Sequence, residues 1–313
     1  MHKSLVIFLL AACAADAQAD VMLVANPKAG EIDVIAPGGA LTPFATGFTN
    51  PLGVATGTDN TVFVETSRSV MGGVSNLITR ISPSGQKSAV VVGEGGMGMA
   101  VDSQGDLFVS STPSQLLGAG AAPQTGVPAP QTPAAPYGLS KITPDGTLHA
   151  ILPLTAQHPS MWALATDNHD NVYVGFPDEI DKVTPAGDVS VFKTFFGDPV
   201  FNLNGYPPLA LAVDHSGNVY ATNFSLVVLK ITPQGVATSL GPGYGLGVDS
   251  QGDIFNANNS ISQINLDGTT NAYAVTNFAQ SIAFLVPEPS SLMLAAFGFV
   301  ALAALGWRRW KPA

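Results

Sequence analysis

The chain has 313 residues and a formal net charge of −10, and only 11% of its residues are charged. This charge argues against binding to nucleic acid, whose phosphates require a basic surface. The 33 glycines and 24 prolines favour short strands joined by tight turns over long helices.

Residues 1–19 have the features of a secretory signal peptide. A basic residue, Lys3, precedes an apolar run over 5–12, and small residues come directly before Asp20. We expect cleavage before Asp20. The sequence from Leu10 to Cys13 also resembles a bacterial lipobox, which would instead make Cys13 a lipidated N-terminus. Since Cys13 is the only cysteine, cleavage before Asp20 leaves a domain with no disulfide and no thiol nucleophile.

A repeat organises residues 20–285. Its best-preserved copies begin at Gly98 and Gly245 and share the sequence Val-Asp-Ser-Gln-Gly-Asp. Each copy predicts an inner strand a with small residues, an Asp-x-x-Gly turn, a strand b with aromatic and β-branched residues, a strand c and a strand d. Four antiparallel strands in about 40 residues are typical of one propeller blade.

The number of blades follows from the small residue that recurs in strand a. The sixth copy has no sequence after it for strands b and c, whereas segments 20–26 and 31–39 look like strands b and c without a strand a. Joining the two ends closes the ring and removes exposed sheet edges. We therefore predict an all-β, six-bladed β-propeller of four-stranded antiparallel blades, closed by the N-terminal strands and followed by a C-terminal hydrophobic helix. The recurring residues are Ala55, Ala100, Ala165, Ala212, Gly247 and Ala283.

Two insertions interrupt the repeat between strands b and c. Residues 111–137 are rich in proline and alanine and predict an extended loop, and a smaller insertion is predicted at 66–76 in blade 1. In an antiparallel blade the b–c and d–a loops lie on one face of the disc, and the a–b and c–d turns lie on the other. We call the first the variable face, because it collects these insertions and the longer d–a loops 154–161 and 197–208, and the second the regular face.

The variable face is the predicted binding face, because loop variation on a rigid scaffold is where function concentrates. Its aromatic residues would stack on sugar rings; the alternative is that they only plug the mouth of the central channel. The residues assigned to this face are His158, Met161, Phe201, Asn202, Asn204, Tyr206 and Tyr244.

No catalytic residue, cofactor or metal ligand is predicted. The pair Asp102 and Asp106 does not match an EF-hand loop and is better explained as a hairpin turn, while His169 and His215 look like solvated turn residues. No nucleophile elbow, phosphate-binding loop or dinucleotide fingerprint occurs in a suitable context. Four residues come nearest to a channel metal site, but we interpret them as surface polar residues: Glu65, Asp198, Asn202 and Asn204.

The C-terminal tail, residues 286–313, has three parts in order: Pro287, Glu288 and Pro289, an apolar run over 292–307, and the basic pair Arg308 and Arg309. Sixteen apolar residues span about 24 Å as a helix, short of the roughly 30 Å hydrocarbon core. We predict that this helix inserts in the membrane with its basic end in the cytoplasm. An ordinary C-terminal anchor with a chance Pro-Glu-Pro is the alternative.

This tail resembles the PEP-CTERM protein-sorting signal of Gram-negative bacteria. The resemblance implies that an exosortase recognises the Pro287-Glu288-Pro289 tripeptide and removes the hydrophobic tail. The product would be transiently anchored in the inner membrane, and then released or attached at the cell surface, often in bacteria that produce exopolysaccharide.

The repeats resemble NHL-type propellers, a group that includes scaffolds, sugar-binding modules, lactonases and lyases. Because fold does not give function, two functions stay open. The first is a binding or structural component of the cell surface or extracellular matrix, with a surface glycan such as exopolysaccharide as partner. The second is an extracellular lyase or lactonase. Lactonase propellers hold a metal on clustered Glu, Asn and Asp side chains in the central channel, so convergence of such residues there would favour the enzyme.

Overall fold

The computed structural model describes residues 20–36, 39–70, 73–94, 98–111, 138–195, 207–258, 260–275 and 281–285. The predicted signal peptide, the Pro/Ala-rich insertion beyond Ser111 and the C-terminal tail with its predicted helix lie outside these ranges. None of the described residues belongs to a helix with the length and hydropathy needed to cross a membrane.

The described residues form 24 β-strands in six antiparallel sheets of four. The first three are β1 (Val21–Asn26), β2 (Glu31–Ile35) and β3 (Leu41–Thr46). Blade 1 contains β4 (Pro51–Thr56), β5 (Val62–Val70), β6 (Gly73–Ile81) and β7 (Lys87–Glu94). Blade 2 contains β8 (Met99–Val101), β9 (Leu107–Ser111), β10 (Gly138–Ile142) and β11 (Leu148–Pro153).

The remaining blades repeat this order. Blade 3 contains β12 (Leu164–Thr166), β13 (Val172–Gly175), β14 (Glu179–Val183) and β15 (Val189–Thr194). Blade 4 contains β16 (Ala210–Val213), β17 (Val219–Thr222), β18 (Val227–Ile231) and β19 (Ala237–Pro242). Blade 5 contains β20 (Gly245–Val248), β21 (Ile254–Ala257), β22 (Ser260–Ile264) and β23 (Thr270–Val275), and the last strand is β24 (Ile282–Leu285).

Blade 6 joins the two ends of the domain, as the repeat predicts. Its strand order is β24-β1-β2-β3, so the last strand of the chain is the inner strand a and the first three strands are b, c and d. β24 pairs antiparallel with β1, with Leu23 opposite Ala283. The predicted six-bladed propeller closed by the N-terminal strands is therefore confirmed.

One predicted loop is wrong. Residues 66–70 and 73–76 are not loop residues; they extend β5 and β6 into a pair of nine-residue strands. The pairing runs from Val62 opposite Ile81 to Val70 opposite Gly73. The polar sequence of this segment gave no strand signal, but the partner strand supplies its backbone hydrogen bonds, and these override weak local propensity.

The register of strands a and b explains why small residues recur in strand a. In blades 1 to 5 the recurring small residue lies opposite a buried aromatic side chain of strand b, and in blade 6 it lies opposite Leu23. A small residue beside a large one lets the inner strands approach the channel axis without a clash. The aromatic pairs are Ala55–Phe63, Ala100–Phe108, Ala165–Tyr173, Ala212–Tyr220 and Gly247–Phe255.

The Asp-x-x-Gly-Asp segments are turns, as predicted. Asp102 Oδ1 accepts hydrogen bonds from the backbone N–H groups of Gln104 and Asp106 at 3.0 and 2.9 Å. Gly105 has φ 79°, which favours glycine at that position. The same bonds recur at Asp249. The carboxylate is thus used to hold the hairpin turn of the regular face.

The two best-preserved copies also tie neighbouring blades together. In blade 2, the N–H and the hydroxyl of Ser103 both donate to the carboxylate of Asp170 in blade 3, at 2.8 Å each. In blade 5, Ser250 donates through the same two groups to Asp20, the residue before β1 of blade 6. The shared Ser therefore links the regular-face turns of adjacent blades.

Candidate functional site

The central channel opens at the variable face. Each blade contributes one small residue at the start of its strand a, and together they surround a cavity of about 110 Å³. Small side chains leave the axis open, and the cavity is several times larger than the roughly 15 Å³ that one water needs. We call this opening the channel mouth. Its six small residues are Gly53, Gly98, Ala163, Ala210, Gly245 and Ser281.

Glu65 is the acidic residue that lines the channel mouth within the described part of the chain. It lies on β5 opposite Gly53, and only 3% of its surface is exposed. Asn76 Nδ2 donates to its Oε1 at 2.7 Å. Its Oε2 lies close to Gly53, where an added Cβ would be 3.0 Å away. The interpretation of Glu65 as a surface residue is therefore wrong, because the register of β5 turns it towards the channel.

Burial changes the chemistry of Glu65. Loss of solvent raises its pKa to about 8, although the hydrogen bond from Asn76 acts in the opposite direction. The carboxyl group is therefore mostly protonated at neutral pH. A protonated carboxyl group donates one hydrogen bond and accepts others, which suits a neutral polar ligand.

The described lining of the channel mouth does not fit the metal site of a lactonase propeller. Such a site needs several carboxylate and amide oxygens that converge on one point. Glu65 is the one carboxylate that the described lining provides, and Asn76 already donates to it. The other candidates, Asp198, Asn202 and Asn204, lie outside the described residues. We therefore derive no metal-dependent step at this site.

Aromatic side chains also occur in the loops of the variable face. Trp162 and Phe224 pack against each other with ring centroids 5.4 Å apart, and Phe224 is 42% exposed. Trp162 directly precedes Ala163 of the mouth, and Tyr244 lines the cavity itself. Sequence reasoning missed Trp162 and Phe224. Their positions could have indicated them, because Trp162 lies in a d–a loop and Phe224 in a b–c loop, and both kinds of loop belong to the variable face.

The backbone of Trp162 is held in place from blade 2. Ser110 Oγ donates to the carbonyl of Trp162 at 3.1 Å and accepts from the N–H of Gly98 at 3.0 Å. A Cβ at Gly98 would lie 2.0 Å from the same carbonyl, so only glycine allows this close approach. Gly98 thus has a structural role at the channel mouth.

The residues predicted for the binding face have different positions. Tyr244 is partly exposed and lines the channel mouth. Met161 has no exposed surface and packs in the core between blades 2 and 3, so it supports the face from beneath. His158 is partly exposed. The other four, Phe201, Asn202, Asn204 and Tyr206, lie outside the described residues.

His158 belongs to a second polar group, away from the channel. Its Nε2 lies 2.8 Å from Glu179 Oε1, and its ring stacks on Phe176 with centroids 4.2 Å apart. Asp181 lies beside them and is only 4% exposed. Burial, and secondly the charge of Glu179, raise the pKa of Asp181 to about 6. Sequence reasoning did not bring these residues together.

The tail matches a known sorting motif. Residues 285–309 match the model of the PEP-CTERM protein-sorting motif. The chain carries an exosortase sorting signal. This motif indicates export, exosortase processing and a location at the cell surface or outside the cell. The matched range includes Pro287, Glu288, Pro289, Arg308 and Arg309, which lie outside the described residues. No curated protein matches the chain in sequence.

Solved structures resemble this chain over most of its length. A gluconolactonase from Xanthomonas campestris is 12% identical, with a TM-score of 0.53, over 86% of this chain and 92% of that protein. A Bacteroides caccae protein of unknown function is 10% identical, over 86% and 99%, with a TM-score of 0.49. Apo AztD from Citrobacter koseri is 12% identical, over 86% and 98%, with a TM-score of 0.49. At this identity the first likeness shows the fold alone.

Proposed function

We propose that this exported propeller binds a neutral, hydroxyl-rich ligand at the channel mouth and acts as a binding or structural component of the cell surface or extracellular matrix. The observation that carries the proposal is the cavity itself, whose lining combines six small residues, the buried carboxyl group of Glu65 and the ring of Tyr244. Small-molecule sites typically combine a mostly apolar concave lining with a few placed polar groups.

The chemistry of the lining favours a sugar of an extracellular polysaccharide. A protonated Glu65 exchanges hydrogen bonds with a hydroxyl group without burying a charge. Trp162, Phe224 and Tyr244 offer flat apolar faces that suit the C–H faces of a sugar ring, and the tryptophan and the tyrosine add a polar N–H or O–H group. The sorting motif supports a ligand outside the cell, because it directs the protein there.

Export and processing complete the proposal. Residues 1–19 act as the signal peptide, and the helix over 292–307 holds the protein in the inner membrane until an exosortase cleaves near Pro287-Glu288-Pro289. The propeller then remains outside the membrane, where polysaccharide is available.

One observation favours an enzyme as the second candidate. The raised pKa of Glu65 suits a general acid, since such groups work best with a pKa near the operating pH. An extracellular lyase or lactonase would use Glu65 in this role. Such an enzyme would need further carboxylate or amide side chains at the channel mouth, and these would have to come from residues outside the described ranges.

Binding of the mature protein to polysaccharide from the producing bacterium tests the proposal. We expect Phe224→Ala and Tyr244→Ala each to weaken binding about tenfold, since each removes a stacking face. His169→Ala, on an exposed turn of the regular face, is the control and should bind like the native protein. Unchanged binding in both mouth variants would rule out the site, whereas conversion of the polysaccharide that stops in Glu65→Gln would support the enzyme.

A further inference from the structure

The sequence Glu-Ile-Asp begins strand c in two blades. Glu31 and Asp33 lie on β2 of blade 6, and Glu179 and Asp181 lie on β14 of blade 3. Residues two apart on a strand point to the same side, and the isoleucine between them is fully buried in both blades. Each blade therefore places two carboxylates together on one side of strand c.

The two blades satisfy these carboxylates differently. In blade 6, Asn26 Nδ2 donates to Asp33 Oδ2 at 2.8 Å. Strand pairing places Phe176 of blade 3 at the position of Asn26, because each lies opposite the glutamate of its blade. A phenyl ring has no donor. Asp181 Oδ1 is accordingly buried with no hydrogen-bond partner, which is a costly arrangement for a carboxylate.

An imidazole lies near the carboxylates of blade 3, where blade 6 has the amide of Asn26, but it pairs with Glu179 rather than with Asp181. The d–a loop before blade 3 brings His158 over the ring of Phe176, with ring planes inclined by 23°. Phe176 is fully buried and so provides a fixed platform for the histidine. One nitrogen of His158 and one oxygen each from Glu179 and Asp181 lie within 4.8 Å of one another. Three potential ligand atoms thus converge where a buried oxygen lacks a donor.

We propose that His158, Glu179 and Asp181 bind one divalent first-row metal ion, with Zn²⁺ as the best representative. One imidazole nitrogen and two carboxylate oxygens suit Zn²⁺ or Mn²⁺, whereas Ca²⁺ and Mg²⁺ prefer oxygen ligands alone. The partial exposure of His158 and Glu179, 22% and 15% of their side chains, leaves a coordination position open to solvent.

The bound ion would connect the d–a loop to strand c of blade 3. Four residues after His158 the chain reaches Trp162, which directly precedes Ala163 of the channel mouth. Metal binding therefore stabilises the loop that positions this aromatic residue. The proposed metal site is formed by one residue of the d–a loop and two residues of strand c. It does not depend on the ligand proposed for the channel.

Zn²⁺ titration of the untagged full chain, in detergent and after treatment with a chelator, tests the site. Cys13→Ser should be present throughout, so that the only thiol cannot bind the metal. We expect one saturable ion per chain. His158→Gln and Asp181→Asn should each lower the affinity about 100-fold, because the first removes the imidazole ligand and the second replaces a charged carboxylate by a weaker amide oxygen. Loss of an outer-shell partner alone typically costs about 10- to 100-fold. Asp33→Asn in blade 6 and the exposed His169→Gln are the matched controls and should bind Zn²⁺ unchanged.

A Co²⁺ absorption spectrum separates ligation from folding. The native chain should give visible d–d bands, and His158→Gln should lose them. The circular dichroism of this variant should stay native, because His158 is partly exposed and lies in a loop at the surface of the blade. A native chain without saturable Zn²⁺ binding in the millimolar range would overturn the site. So would Zn²⁺ binding and Co²⁺ bands that survive in His158→Gln, because His158 and Glu179 would then form an ion pair only.

Discussion

The two faces of the disc use the same residue types for different purposes. On the regular face, Asp102, Asp167, Asp214 and Asp249 repeat one arrangement, in which a carboxylate oxygen accepts two backbone N–H groups. On the variable face, Glu65 occurs in one blade only and lines the channel. Its equivalents in the next two blades are Ser110 and Gly175. Repetition thus marks the scaffold, and departure from the repeat marks the candidate site.

Blades 3 and 6 also differ at equivalent positions of the repeat, and the difference again marks a candidate site. Both carry Glu-Ile-Asp, but Asn26 satisfies Asp33, whereas Phe176 leaves Asp181 without that donor. The change from Asn26 to Phe176, together with His158 from the loop before blade 3, therefore converts a closed polar cluster into a potential ligand site.

Opening the ring should abolish both faces. Deletion of residues 20–46 removes β1, β2 and β3 and leaves β24 without its partner. We expect an aggregated chain without a cooperative melting transition, because open sheet edges pair with other chains. Size-exclusion chromatography and thermal melting measure this. A monomeric truncation with unchanged heat stability would contradict closure by the N-terminal strands.

Gly98→Ala should damage the variable face and the fold together. Its Cβ would lie 2.0 Å from the backbone carbonyl of Trp162, so the backbone must move, and we expect a loss of about 3 kcal/mol or more in the free energy of unfolding. Chemical denaturation measures this loss. Gly53→Ala is the matched control, because its Cβ would meet the side chains of Glu65 and Met99 rather than backbone. Equal losses in both variants would argue against a special role of Gly98.

Glu65 should give the stability a distinctive pH dependence. Its folded pKa is raised from 4.5 to about 8, so the folded state binds the proton more tightly than the unfolded state. Its contribution is therefore fully present below pH 4.5 and is lost as the pH rises to about 8. The free energy of unfolding should therefore fall between pH 5 and pH 8. We expect this fall to be smaller by roughly 2 to 4 kcal/mol in Glu65→Gln. Denaturation of both proteins between pH 5 and pH 8 measures the difference, and parallel curves would contradict a buried, protonated Glu65.

Asp102→Ala should weaken the regular face alone. The change removes the acceptor of two backbone N–H groups, and we expect a loss of about 1 to 2 kcal/mol in stability with unchanged ligand binding at the channel mouth. Asp102→Asn keeps an acceptor oxygen and should lose less. Thermal melting and polysaccharide binding measure the two effects. Weaker binding by Asp102→Ala at a temperature where it is fully folded would show that the regular face contributes to the site.

The fold could be predicted because its signals are local and repeated. Turn residues, small residues in strand a and aromatic residues in strand b recur in nearly every blade, and each copy supports the others. The 66–76 segment was wrongly predicted as a loop because the evidence for its strands lies in their mutual pairing. No pattern within the segment itself shows that pairing.

The candidate site was only partly predictable. The alternation of antiparallel turns identified the variable face, and Tyr244, one of the residues predicted for it, lines the channel mouth. Its role in binding stays a prediction. Glu65 was noticed but interpreted as a surface residue, because its burial depends on where β5 stands in the ring. Trp162 and Phe224 are 62 positions apart in the chain, and only blade packing brings them together.

The sequence by itself determined the six-bladed ring, its closure by the N-terminal strands and the sorting motif of the tail. Each follows from a residue pattern along the chain, namely the complete repeats, the incomplete copies at the two ends and the short motif. Tertiary structure alone decided which polar groups are buried and which meet. His158 joins Glu179 and Asp181 only after a loop folds over strand c, and Glu65 acquires its raised pKa only when six strands enclose it. Burial and convergence are properties of the packed ring, since desolvation depends on every neighbour at once.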